Sequence, residues 1–302
     1  MAELLDLHKE FHLGNNFILR VASELSTLLD NSFRVVIKYD SKLCEIPNDD
    51  KLNILFCTSR ETHNISIDSF NENVFLIFQN YHALDNWGYP IYNAISHPMP
   101  IGTFVECDDI EIKPLPDRKY DFVFAGQIPH TGTRDKFKRC LEDMLRITKN
   151  NYKYEIIYTN SFSGGLNPKE YLHLLNDSKI CLCPQGAFSD ESFRFFECLR
   201  MGSFPMVERL PKFWYYEQAP ILWTNWQFLD KSLAMALNHL NSKKCIESIS
   251  KLIDYNLKIL NPKNLAIELY SIIKNRKNNI PNIKEFLGLA RKELSELYSH
   301  KL

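Results

Sequence analysis

The sequence predicts an α/β protein built on two parallel sheets flanked by helices. Three observations carry this. Short apolar runs rich in Val, Ile and Phe recur and end in polar residues, the pattern of strands buried on both faces. Segments with apolar residues at helical spacing lie between such runs. The alternation occurs twice, on either side of a proline-bearing break.

In the first half, NFILRVASELSTLLD, Asn16 to Asp30, has the apolar spacing of a helix. The runs FRVVIKY, KLNILFCTS and NVFLIFQNY follow as strands. NAISHPMPIGTF is an extended, proline-bearing stretch. In DDIEIKPLPDRK two prolines flank Leu115, which disfavours helix and suits a linker. The break lies between His97 and Lys119. We therefore expect an N-terminal domain over 1–105 and a second domain over 106–260.

The second half restarts the pattern. YDFVFAG is a strand ending in Gly126, and TRDKFKRCLEDMLRIT is a helix with Phe137, Leu141 and Leu145 on one side. YKYEIIYTN is a strand. NPKEYLHLLNDSK is a helix opened by Pro168. ICLCP is a strand, DESFRFFECLRMG a helix ended by Gly202, and SFPMVE a strand. APILWTN adds one more strand. This regular alternation predicts a doubly wound parallel sheet. A helical tail over 261–302 follows, amphipathic and basic, and is expected to pack back on the N-terminal domain.

The 302 residues are 45% hydrophobic and 24% charged, with a formal net charge of -1. No global basic field exists to hold a polyanion, so nucleic acid is not an expected partner. There are eight cysteines and no CxxC. Most sit in apolar runs, where Cys behaves as a small hydrophobe. We expect reduced thiols and a cytoplasmic protein. The start lacks a basic segment followed by an apolar core, and no apolar run approaches about 18 residues.

Loops after the strands of an open α/β sheet carry its ligand sites. After FVFAG the loop QIPHTGTRDKFKR opens a helix. Its N-terminus favours phosphate, and Arg134 in the first turn adds a cation. Neither GxxxxGK[ST] nor GxGxxG is present. On the helix after ICLCP, Arg194, Glu197 and Arg200 recur at spacing three and share one face. From pattern alone this is a solvated, salt-bridged face. The functional reading gives the arginine a phosphate and the glutamate sugar hydroxyls.

CLCPQGAFSDESFRFFECLRMGSFPMV resembles the signature of exostosin-like glycosyltransferases. The matching elements are Cys183, Pro184, Gly186, Ser192, Arg194, Glu197, Gly202 and Pro205. Gln185 departs from an arginine frequent there, and Met206-Val207 replaces a Val-Ile-like pair. The FVFAG to Arg134 segment is similar to the same family, and Met99 to Gly102 resembles its passage between domains. The resemblance covers about Tyr120 to Trp226. It implies a GT-B arrangement, two Rossmann-like domains facing across a cleft, with the nucleotide sugar held by the second. Glu197 would bind the ribose, and Arg194 and Arg134 would neutralise the diphosphate. Gly126 and Gly186 would let backbone approach the nucleotide. Pro184 and Ser192 would complete the donor site. No DxD motif stands out. Asp49-Asp50 and Asp108-Asp109 read as solvated turns, so no metal ligand is expected.

The expected function is a metal-independent glycosyltransferase moving a sugar from a nucleotide donor to a glycan or glycolipid. Its setting would be surface polysaccharide or lipopolysaccharide assembly. UDP is preferred over GDP or CMP, and no other cofactor is expected. An inverting enzyme needs a general base, for which His12, His82 and Asp85 are candidates; a retaining one does not. Lys274, Arg276, Lys277, Lys284, Arg291 and Lys292 make peripheral contact with the inner membrane face an option for the tail. The alternative is a nucleotide- or carbohydrate-binding module without turnover.

Overall fold

The computed structural model describes residues 1–6, 16–39, 46–47, 49–58, 73–80, 96–105, 110–128, 132–148, 151–161, 164–186, 190–283 and 285–286. The chain forms two compact units. The first comprises Met1–Ile101 with Asn261–Leu302, and the second Gly102–Leu260. Each carries a five-stranded parallel sheet with helices, as the alternation predicts.

In the first unit the strands are β1 (Glu3–Asp6), β2 (Phe33–Tyr39), β3 (Leu52–Thr58), β4 (Val74–Gln79) and β5 (Ser96–Pro98). They lie in sequence order, each parallel to its neighbour. Val35, Val36, Ile54, Leu55, Phe56, Phe75, Leu76 and Phe78 are fully buried, because both faces of a parallel sheet need cover. Helix α1 (Asn16–Leu28) buries Phe17, Ile18, Val21, Ala22 and Leu25. It packs on α7 (Pro262–Asn279), whose Asn261 cap accepts from the Lys263 and Asn264 amides. Pro262 occupies the first turn, where its missing N–H costs nothing. Strand β1 adds to the expected elements. Its four residues hold too little pattern to declare a strand, and pairing with β2 makes it one.

In the second unit the strands are β6 (Tyr120–Gln127), β7 (Tyr154–Thr159), β8 (Ser178–Leu182), β9 (Phe204–Val207) and β10 (Leu222–Trp223). The helices are α2 (Thr133–Thr148), α3 (Pro168–Asn176), α4 (Phe193–Arg200), α5 (Leu229–Leu240) and α6 (Cys245–Lys258). The sheet order is β10-β9-β8-β6-β7. Numbered from its own first strand, this is 2-1-3-4-5, a doubly wound sheet whose winding reverses between β6 and β8. Helix α2 packs with α5, and α3 with α4. On α2 the buried residues are Phe137, Leu141, Met144 and Thr148. Met144 takes the place expected for Leu145, because the helical repeat is 3.6 rather than 4. Burying each large apolar side chain contributes about 1.5–3 kcal/mol.

Among the described residues, no helix is long and apolar enough to cross a membrane. Lys277 lies 4.6 Å over the Phe33 ring and 3.7 Å from Asp30, so this tail lysine packs within the first unit. Lys284, Arg291 and Lys292 lie outside the described residues.

Candidate functional site

The carboxyl ends of β6 and β8 stand side by side at the reversal point. In a doubly wound sheet this is where ligands bind, because the connections from the two strands leave on opposite faces. Arg134, in the first turn of α2, spans it. Its Nε donates to the Gln185 carbonyl at 2.7 Å and its Nη1 to the Gln127 carbonyl at 3.1 Å. The one side chain thus ties the loop after β8 to the end of β6. Pro184 and Gly186 are buried in that loop, and the Gln185 amide donates to Asp190.

Helix α4 brings Arg194 to the same place. The helix starts after Ser192, which is extended (φ -148°) and makes no side-chain cap. It stops before Gly202, whose φ of +74° suits a residue without Cβ. Arg194 is only 8% exposed. Its Nε donates to the Ala125 carbonyl at 3.0 Å, and the guanidinium lies 4.7 Å from the centre of the Phe124 ring. Its Nη1 is buried and has no hydrogen-bond partner among the described residues. A Cβ on Gly126 would lie 1.9 Å from Nη2. Gly126 therefore makes room for the arginine, where the sequence expectation gave that room to a nucleotide.

Glu197 is 4% exposed. Its Oε1 accepts from the Phe104 and Val105 amides at 3.2 and 3.4 Å, and its Oε2 accepts from the Tyr171 hydroxyl at 2.9 Å. Burial raises its carboxyl above the ordinary value, against the Tyr171 hydrogen bond and the nearby charge of Arg194. Burial corrects the pattern-based reading of this helix. Arg194 and Glu197 are not a solvated face, and they form no ion pair with each other. Each instead reaches backbone on another element. Glu191 is buried too, and accepts from the Tyr215 and Tyr216 hydroxyls at 2.7 and 3.0 Å.

Two features escape sequence reasoning. Tyr171 lies 26 residues from Glu197, and the two amides 93 and 92 residues away. Nothing local signals either contact. Asp49, read as a solvated turn residue, closes on Arg34 of β2. Asp108-Asp109 and the three base candidates, His12, His82 and Asp85, lie outside the described residues.

No protein-family model matches the chain. No curated protein matches it either. Solved structures with a similar chain trace include an alpha-glucosyltransferase in complex with UDP and a 13-mer DNA containing a central A:G mismatch. It is 9% identical, has a TM-score of 0.47, and aligns over 91% of this chain and 100% of that one. An alpha-glucosyltransferase in complex with UDP is 8% identical with a TM-score of 0.46, over 90% and 98%. An alpha1,3-fucosyltransferase is 11% identical with a TM-score of 0.46, over 94% and 93%. None is named as exostosin-like. The function proposed below rests on the residues of the site itself.

Proposed function

We propose that the chain is a glycosyltransferase that takes its sugar from a nucleotide donor bound at the carboxyl ends of β6 and β8. One observation carries this reading. Arg194 is a buried cation at the reversal point of a doubly wound sheet, with one guanidinium nitrogen left to donate. A buried N–H without an acceptor costs about 1–3 kcal/mol. A diphosphate supplies both the acceptor and the opposite charge.

The other parts follow from that placement. The N-terminus of α2 offers amides and a positive dipole end to the same anion. Arg134 shapes the loop, holding the Gln185 and Gln127 carbonyls in place. Negative charge grows on the diphosphate as the glycosidic bond to it breaks. A fixed cation that stabilises this charge lowers the barrier without a divalent ion. Glu197 accepts a ribose hydroxyl through Oε2, which among the described residues carries a single hydrogen bond, from Tyr171, and keeps a second lone pair. Pro184, Gly186 and Ser192 line the same end of the sheet.

The finer assignments form part of the proposal. The donor is a UDP-sugar, and the acceptor a glycan or glycolipid of surface polysaccharide assembly. Exostosin-like membership rests on the signature residues. Transfer is inverting, with a base among His12, His82 and Asp85. The tail's remaining basic residues are the proposed membrane contact.

A thermal-shift series with UDP, GDP, CMP and their sugars tests the donor site. The expected result is a shift with UDP and UDP-sugars, since a ligand at 100 times its Kd stabilises by about 2.7 kcal/mol. No shift with any nucleotide overturns the reading. UDP release on adding acceptors, with duplex DNA as one arm, then separates an enzyme from a binding module. The anomeric configuration of the product decides between inversion and retention.

A further inference from the structure

Three cysteines meet on one side of the second sheet. Cys181 and Cys183 are two apart along β8 and its continuation, so their side chains leave the same face. Cys198 comes from α4, which packs there. All three are buried, at 0%, 4% and 0% exposure, and their sulfurs lie within 4.8 Å of one another. The Cys183 and Cys198 sulfurs are 3.9 Å apart. Metal–sulfur bonds of about 2.3 Å in a trigonal centre place the sulfurs about 4 Å apart. We propose that Cys181, Cys183 and Cys198 form a three-thiolate site for a soft monovalent metal ion, with Cu(I) as the fitting ion.

The donor set selects the metal. Thiolates favour soft ions, and a dry pocket disfavours ions that keep water. Zinc completes a tetrahedron, but no histidine or carboxylate joins the three sulfurs among the described residues. Cu(I) is satisfied by three. Binding releases three protons, one from each thiol, and leaves a centre of net charge 2−. The structure supplies compensating charge. Arg194 acts electrostatically on Cys181 and Cys183, and Arg118 on Cys198. A metal ion bound by thiolates displaces the thiol protons, so uptake depends on pH. The site needs no donor nucleotide, but it shares Arg194 with the donor site proposed above, so the metal titration is run without nucleotide.

The test uses the full, reduced chain under anaerobic conditions, titrated with Cu(I) held by a chromophoric competitor. The expected result is one equivalent taken up per folded chain, with thiolate-to-copper absorption and three sulfur ligands by X-ray absorption. Uptake persists when Cys44, Cys107, Cys140 and Cys245 are all replaced by serine. It weakens more than about 100-fold in Cys198→Ala, beyond the usual loss from an outer-sphere change. Circular dichroism and thermal melts establish that each variant folds. If Cys198→Ala does not fold, Cys181→Ala and Cys183→Ala carry the same expectation. Should none of the three fold, the X-ray absorption spectrum of the four-serine variant decides, and fewer than three sulfur ligands overturns the proposal. No uptake by the native chain, uptake unchanged in Cys198→Ala, or uptake lost with the four-serine variant also overturns it.

Discussion

The two sheets differ in winding, and each carries a buried arginine with a different fate. In the first unit the five described strands run in sequence order. Arg34 of β2 is matched around its guanidinium. Its Nε donates to Glu3 at 2.9 Å, Nη1 to Asp49 at 3.1 Å, and Nη2 closes on Asp49. Pro47 and Asn53 add longer contacts at 3.3 and 3.4 Å. In the second unit the winding reverses at β6 and β8, and Arg194 stands there with Nη1 unmatched. Arg118 of the same unit resembles Arg34. It donates to the Lys113, Ser178 and Met201 carbonyls, and burial brings it down to about 10. A buried arginine with matched donors holds a fold together. One with an unmatched donor at a reversal point is the cation on which the proposed donor site rests.

The largest expected effect is on binding. Arg194→Met is expected to weaken UDP binding about 100-fold, measured by calorimetry, since a charged hydrogen bond contributes about 1.5–3 kcal/mol. Its effect on unfolding in urea should stay within about 1 kcal/mol, because an apolar isostere replaces a costly buried charge. Equal losses of stability and affinity would break the distinction between the two arginines. Arg34→Met is the mirror experiment. Removing it strips Glu3 and Asp49 of their partner, and about 2 kcal/mol of stability should go. The carboxylates are half-exposed and regain water, which keeps the loss at that level. UDP binding by this variant should be unchanged while it stays folded.

Gly126→Ala acts on Arg194 from the strand beneath it. The backbone sits at φ +156°, and the new Cβ would meet Arg194 Nη2. A loss of about 1–2 kcal/mol in thermal or urea unfolding is expected. UDP affinity should fall with it as the guanidinium moves. Unchanged affinity would detach Arg194 from the nucleotide.

Glu197→Gln should show the smallest effect, visible as a pH slope. Burial raises its folded carboxyl above the ordinary carboxylate value. The stabilisation linked to its proton is present below the ordinary carboxylate range and is lost as pH rises through the raised folded value. Wild type should therefore lose stability relative to Glu197→Gln as pH rises from 4 to 7, read from paired urea titrations. A difference independent of pH would mean that the carboxyl titrates alike in the folded and unfolded chain.

The elements were legible because their signals are local. Helix α2 spans the residues that its sequence marks, Thr133–Thr148, and Gly202 follows the end of α4 as expected. Strand β1 was not legible, since four residues gain strand character only from β2. The candidate site was legible as a set of residue types. Arg134, Arg194 and Glu197 stood out as charges beside apolar strands, and the family resemblance gathered them. Their partners did not stand out. The Ala125 and Gln185 carbonyls and the Tyr171 hydroxyl carry no sequence mark of what they bind.

The sequence alone determined two parallel-sheet halves, because burying both faces of a strand demands unbroken apolar runs. It also placed arginines and a glutamate on a helix behind one of those strands. What those charges touch follows from tertiary packing. Periodicity fixes which residues share a face of a helix, but whether that face meets water or protein depends on the strands packed against it. That packing buried Arg194 and Glu197, separated them as a pair, gave Glu197 to Tyr171 and the Phe104–Val105 backbone, and left one nitrogen of Arg194 free to donate.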